Sequence, residues 1–220
     1  MSNKISLDIQ ARIVIISGPS GCGKTTLHKA LLINPLFKGK LVKSISATTR
    51  SKRPGERDGR DYLFLSTKVF EERIKKGYFL EWEKVFDHYY GTPKKQALNL
   101  LKKNINVLLC IDVKGAKNVA QDFPQALKIF IKAPSLKVLE DRLRARGSES
   151  KESLEMRLKV ARKELKEAKF YDYVIINGEL NKALESLQQI VCRELLRVSD
   201  KRTELLRVSD KRTELLRVSG

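Results

Sequence analysis

Short apolar runs alternate with helix-length amphipathic stretches along this chain, a spacing that predicts α/β architecture. Ile13-Val14-Ile15-Ile16, ending at Ser17-Gly18, is apolar on both faces and reads as a buried parallel strand. Helical periodicity follows over 24–32 and is closed by Asn34-Pro35. A second short strand, 41–45, enters a polar stretch rich in Arg, Thr, Gly and Asp. From 46 to 98 strand-like pieces, 61–65 among them, alternate with turns, as expected of a small module inserted between core elements. The core pattern resumes with strands at 107–111, 127–131 and 173–176. Helices are expected at 115–122, 135–146 with a Ser135 cap, 152–168 and 181–193. Strands alternating with helices point to a three-layer, doubly wound parallel sheet.

The predicted organisation is therefore a core of 1–45 and 99–193, an inserted module at 46–98, and a helical lid at about 135–168. A different pattern begins at Glu194, where ten residues, 194–203, recur identically at 204–213 and begin again at 214–220. A ten-residue period matches neither a heptad nor a solenoid repeat, so 194–220 is set apart as a duplicated tail.

Composition changes this picture in two respects. Charge is the first: 45 Lys and Arg stand against 26 Asp and Glu, a formal +19, which attracts anionic ligands. No basic motif interleaved with aromatics and no helix-turn-helix pattern accompanies that charge, so no nucleic-acid partner is expected. The second is what the apolar runs exclude. None approaches the ~20 residues that span a bilayer, and 13–16 is too short for a signal-peptide core. Cys22, Cys110 and Cys192 form no paired or metal-like cluster. A cytoplasmic chain with no membrane partner is expected.

Candidate chemistry starts at the first strand's end. Gly18-Pro19-Ser20-Gly21-Cys22-Gly23-Lys24-Thr25, followed by Thr26, fits the pattern GxxxxGK[ST] between a strand and a helix. Glycines let the backbone wrap phosphates, Lys24 can reach the β- and γ-phosphates of ATP, and the Thr25 hydroxyl can ligate Mg²⁺. This loop identifies a nucleotide ligand without choosing a reaction. A second cluster places Arg50 and Arg53 three apart, with Ser46 before them and Tyr62 nine residues beyond Arg53. Two guanidinium forks with hydroxyls nearby suit a second phosphate. Glu81, Tyr90, Thr92 and Asp112 follow, Asp112 just beyond a core strand.

Taken together, the phosphate loop, Thr49-Arg50-Ser51-Lys52-Arg53, Leu80-Glu81-Trp82, Tyr89-Tyr90-Gly91-Thr92 and Ile111-Asp112 resemble the guanylate kinase family. The resemblance covers most of the chain, from the loop through Asn177. It implies transfer of the γ-phosphoryl group of Mg·ATP to GMP. Arg50, Arg53, Tyr62 and Tyr90 would hold the GMP phosphate; Glu81 and Asp112 would read guanine, with Ser46 and Thr92 completing the pocket. Guanine offers N–H donors at N1 and N2 that a carboxylate accepts, whereas adenine has an acceptor at N1 and no N2 amine. Arg146 and Arg157 would close over the ATP phosphates, with Arg142 and Asn177 also on the ATP side. Lys24, Arg50, Arg53, Arg146 and Arg157 are then the expected catalytic set. His28 and His88 are expected to be structural or surface residues.

One residue departs from the family pattern. Cys110 stands where an acid is usual, and a thiol is a poor ligand for a hard cation. Weaker Mg²⁺ affinity with activity retained is expected. Three rival readings fit less well. A sugar-phosphate kinase would not need Glu81 and Asp112; a catalytically silent binding module would not need Lys24, Thr25, Arg50 and Arg53; a nucleic-acid binder is suggested by charge alone.

Overall fold

Strand β1 (Ile13–Ser17) is buried along all five residues, and the fold is organised around it. The computed structural model describes residues 11–145 and 151–195, so Arg146 and the tail beyond 195 lie outside the described residues. After β1 come α1 (Lys24–Ile33), β2 (Leu41–Lys43), β3 (Ala47–Thr48), β4 (Leu63–Phe64) and α2 (Thr67–Lys75). Next are β5 (Phe79–Val85), β6 (His88–Pro93), α3 (Lys94–Lys102), β7 (Asn106–Cys110) and α4 (Val113–Asp122). The chain continues through β8 (Leu127–Lys132), α5 (Leu136–Arg144), α6 (Lys151–Lys166), β9 (Tyr173–Ile176) and α7 (Leu180–Leu195).

Five strands form one parallel sheet in the order β2-β7-β1-β8-β9. Successive side chains of a strand point to opposite faces, which explains why β1 is apolar throughout. Val14 and Ile16 pack with Leu27, Leu31, Leu187 and Ile190 of α1 and α7. Ile13 and Ile15 pack on the other face with Ala97, Val113, Ala116 and Val119 of α3 and α4. The result is the expected three-layer α/β fold. The strand order reverses at β1, and the carboxyl ends of β1 and β7 open there into a crevice.

A second sheet, in the order β4-β3-β6-β5, lies between β2 and α3 in the chain. Its own core is small: Phe70 of α2 stacks on Phe79 at 4.3 Å and on Tyr89 at 5.2 Å. Strands and turns are what the sequence predicts over this stretch, whereas the structure adds α2 and α3. Both helices carry many lysines, and each buries a single residue fully, Phe70 in α2 and Ala97 in α3. Residue 98, the expected end of the module, falls inside α3, which packs against β5, β6 and β7. Ser135 caps α5 by accepting from Val138 N, as predicted.

Candidate active site

Between β1 and α1 the chain makes a loop that only glycine permits at its first position. Gly18 has φ +135°, and a Cβ there would collide with the carbonyl oxygen of Ile131 on β8. Helix α1 carries neither an acidic residue in its first turn nor a side-chain cap, so its N-terminal N–H groups remain available to an anion. Ser20, Gly21, Gly23, Lys24, Thr25 and Thr26 line one side of a cleft of about 570 Å³. Lys24 Nζ folds back to donate to Gly18 O at 2.5 Å and Pro19 O at 2.9 Å. Burial opposes its charge, but Cys22 and Cys110 once ionised and the carboxylates of Glu164 and Asp112 together hold its pKa above the ordinary lysine value.

Four residues expected on the ATP side do not line the cleft. Pro19 and Cys22 are buried behind the loop. Asn177, also buried, donates from Nδ2 to Cys22 O at 2.9 Å, and Arg142 Nη2 donates to Asn177 O at 2.9 Å. Asn177 thus braces the loop from the rear, and Arg142 holds the backbone of Asn177.

The opposite side gathers residues from the second sheet and from β7. Ser46, Arg50, Arg53, Tyr62, Tyr90 and Glu81 all reach the cleft, as do Asp112 and Cys110. Glu81 is 6% exposed, and its Oε1 accepts from the Thr92 hydroxyl at 2.6 Å. Thr92 is wholly buried behind it, so the hydroxyl orients Glu81 instead of lining the pocket. Burial pushes the Glu81 carboxyl up to about 7, the charges of Asp112 and Glu83 add to this, and the Thr92 hydrogen bond opposes it. Asp112 caps α4: its Oδ1 accepts from Lys114 N at 2.8 Å and Gly115 N at 2.9 Å, which leaves Oδ2 to a ligand. Burial raises Tyr62 to about 12, keeping it a neutral donor.

Several residues were not legible as part of this site. Glu164 extends the face of α6 that carries Ser153, Arg157 and Val160, all on the cleft wall. Its carboxylate makes no hydrogen bond or ion pair among the described residues, and burial raises its pKa despite nearby Lys24. Phe86 occupies the turn between β5 and β6 with φ 54°, a left-handed conformation unusual for a bulky residue. The guanidinium of Arg157 sits 4.8 Å from its ring centroid, so α6 touches the second sheet there. Period-3.6 spacing from Arg157 could have flagged Glu164; nothing local could have flagged Phe86. His28 is buried, and burial with Lys43 and Lys29 nearby lowers its pKa to about 3, so it stays neutral. His88 is part of the cleft rim.

A phosphate loop and the carboxylates of Glu81 and Asp112 thus line one cleft. The family model described as guanylate kinase matches residues 10–194. The chain belongs to the guanylate kinase family. A guanylate kinase of Caldanaerobacter subterraneus subsp. tengcongensis is 45% identical over 195 residues, spanning 88% of this chain and 93% of that protein. One from Rickettsia bellii is 42% identical over 182 residues, 83% of this chain and 94% of its own. The crystal structure of guanylate kinase from Anaplasma phagocytophilum superposes with a TM-score of 0.69 at 30% identity, covering 90% of this chain and 94% of that one. Guanylate kinases are nucleoside monophosphate kinases, and this member transfers a phosphoryl group from ATP to GMP, giving GDP.

Proposed function

We propose that the cleft divides this reaction between its two walls, with the phosphate loop holding Mg·ATP and the second sheet holding GMP. The observation that carries the reading is one cavity lined both by Lys24 and Thr25 and by Glu81 and Asp112. Glu81 and the free oxygen of Asp112 accept from guanine N1–H and N2–H, and Ser46 supplies a hydroxyl. Thr92 and Asn177 act one step back, through Glu81 and the loop backbone. Arg50, Arg53, Tyr62 and Tyr90 take the GMP phosphate.

Lys24 exchanges its two backbone carbonyls for the β- and γ-phosphates, and the loop N–H groups complete the cradle. Arg157, from α6, adds positive charge over the transferred group, and Arg146, outside the described residues, is assigned the same task. Transfer in line between two bound oxygens asks the protein only for positioning and for charge where charge develops. Arg50, Arg53, Lys24 and Arg157 supply both. The cleft walls from α6 and the β5–β6 turn exclude water, so that ATP is not hydrolysed.

Thr25 fits Mg²⁺, since its hydroxyl is exposed in the cleft on the first turn of α1. The metal, when bound, neutralises phosphate charge as it shifts in the reaction. Cys110 contributes little to such a site, because burial holds its thiol protonated. The chain's setting is proposed to be the cytoplasm, in keeping with three free cysteines. Among the described residues no helix is long and apolar enough to cross a membrane.

The test is ADP release from Mg·ATP with GMP, AMP, UMP, CMP or a ribose bisphosphate as acceptor. Turnover confined to GMP, and lost in Lys24→Met, supports the assignment. Equal turnover on AMP would remove Glu81 and Asp112 from the guanine site.

A further inference from the structure

Arg50 has fewer free donors than its place in the cleft suggests. A guanidinium carries five N–H groups, arranged as an end-on fork of Nη1 and Nη2 and a side-on fork of Nε and Nη2. Nη1 donates to Ser51 O at 2.6 Å and to Glu56 Oε2 at 2.9 Å, which uses both its hydrogens. Nη2 donates to Glu56 Oε1 at 2.8 Å. The end-on fork is therefore closed by a carboxylate, which leaves Nε and one Nη2 hydrogen for the Tyr90 side chain, a further hydrogen-bond partner of Arg50 on the cleft wall, and for a ligand. The flat faces are backed by aromatic rings, with Tyr62 at 5.4 Å and Phe64 at 5.8 Å from Cζ.

Local sequence places that carboxylate. In Arg53-Pro54-Gly55-Glu56, Pro54 presets the first corner of a turn and Gly55 takes φ +82° at the second, the type II pattern. Glu56 N closes the turn on Arg53 O at 3.0 Å. The turn folds the Glu56 side chain back, so that Oε2 also accepts from Arg53 N at 2.8 Å. One carboxylate thus joins the side chain of Arg50 to the backbone of Arg53. Arg50 and Glu56 are 10% and 19% exposed at their side chains, so the pair is largely shielded from water. The Arg53 side chain is exposed.

We propose that Glu56 is a positioning residue of the acceptor-phosphate clamp: by holding the end-on fork of Arg50 and the backbone of Arg53, it presents the side-on fork, Nε with Nη2, to the phosphate of the nucleoside monophosphate. This rests on the reading of Arg50 as a phosphate ligand. It also sets the charge of the clamp, because two guanidiniums and one carboxylate leave a net +1 facing the phosphate. Arg50 is fixed in orientation and Arg53 is left to swing in.

Calorimetry on the full chain with GMP and with guanosine, alongside steady-state kinetics, tests the proposal in Glu56→Gln and Glu56→Asp. Glu56→Gln keeps the shape but turns one acceptor into a donor against the Arg50 fork. Its GMP affinity should fall and its KM for GMP rise about 10- to 100-fold. Guanosine affinity, KM for ATP and the melting temperature should stay near wild type. Glu56→Asp restores the charge and should recover part of the loss. Unchanged or tighter GMP binding in Glu56→Gln would overturn the proposal, since Glu56 would then be a spectator or a place-holder that the phosphate displaces. Parallel losses for guanosine and ATP would overturn it too, by showing a structural prop. A wild-type chain that binds guanosine as tightly as GMP would instead overturn the phosphate-clamp reading beneath it.

Discussion

Gly115 is the third residue of α4, and its missing side chain gives Glu81 room. A Cβ at this position would lie 2.6 Å from Glu81 Oε2 and 3.3 Å from Cδ, where ordinary contact begins at 3.4 Å. In Gly115→Ala the carboxylate oxygen must therefore move by 3.4 − 2.6 = 0.8 Å. It has little freedom to do so, because Oε1 is tied to Thr92 and the side chain is 6% exposed. A shift of that size misaligns the oxygen facing guanine, and a hydrogen bond to a charged group contributes about 1.5–3 kcal/mol. At 1.4 kcal/mol per tenfold, KM for GMP should rise about 10- to 150-fold. The backbone should welcome the change, since Ala is favoured over Gly in a helix interior by up to ~1 kcal/mol. Steady-state ADP release, varying GMP and ATP separately, and a thermal melt give the comparison. The expected pattern is a raised KM for GMP, an unchanged KM for ATP and no loss of melting temperature. A KM for GMP within twofold of wild type would refute the placement of Glu81 at the base. A drop in melting temperature would show the strain going into the core instead.

The pH dependence of Glu81 should have opposite signs for stability and for substrate use. With its pKa raised to about 7, its contribution to stability is full below the unfolded value of 4.5 and is lost as pH rises from there to about 7. Acceptance from guanine needs the carboxylate, so kcat/KM for GMP should rise toward pH 7 and level off above; Glu81→Gln should abolish that ionisation in a pH–rate profile. Cys110→Asp should lower the Mg²⁺ concentration for half-maximal rate about 3- to 10-fold in a metal titration at fixed ATP, and an unchanged midpoint would count against the thiol as the cause of weak binding. Phe86→Gly should raise KM for ATP about 2- to 5-fold, by removing the ring over Arg157, without lowering the melting temperature, because glycine relieves the φ of 54°.

The legible parts of this molecule are those in which neighbours in sequence are neighbours in function. Ser17 to Thr25 could be read because strand, loop and helix follow one another, and each glycine answers a local backbone demand. The apolar faces of β1 and β7 announced a central sheet for the same reason. Helices α2 and α3 escaped because each is nine residues long, and their apolar faces, Phe70 with Ile74 and Ala97 with Leu100 and Leu101, are too short to stand out among the charged residues beside them. Glu81 and Asp112 are legible as a pair through family likeness. Asp112 capping α4 is a local contact, whereas Thr92 behind Glu81 depends on the pairing of β5 with β6, which no local pattern encodes. Asn177 reaches the underside of the loop because β9 runs beside β8 and carries it there, a placement no local pattern encodes. Phe86 and Arg157, far apart in the chain, meet only across the cleft.

If the two walls hold the two nucleotides as proposed, that last contact would make the substrate sites thermodynamically answerable to each other. Arg157 belongs to α6, and Phe86 to the turn joining β5 and β6 of the second sheet. If either nucleotide shifts its own wall, the ring and the guanidinium separate or tighten, and the other site feels the change. Linkage then requires reciprocity: the factor by which an unreactive ATP analogue alters GMP affinity must equal the factor by which GMP alters affinity for the analogue. A cation–π contact of ~0.5–1 kcal/mol sets that factor at about two to five. The enzyme would then gather its substrates in either order, each arrival changing the affinity for the next by the same factor.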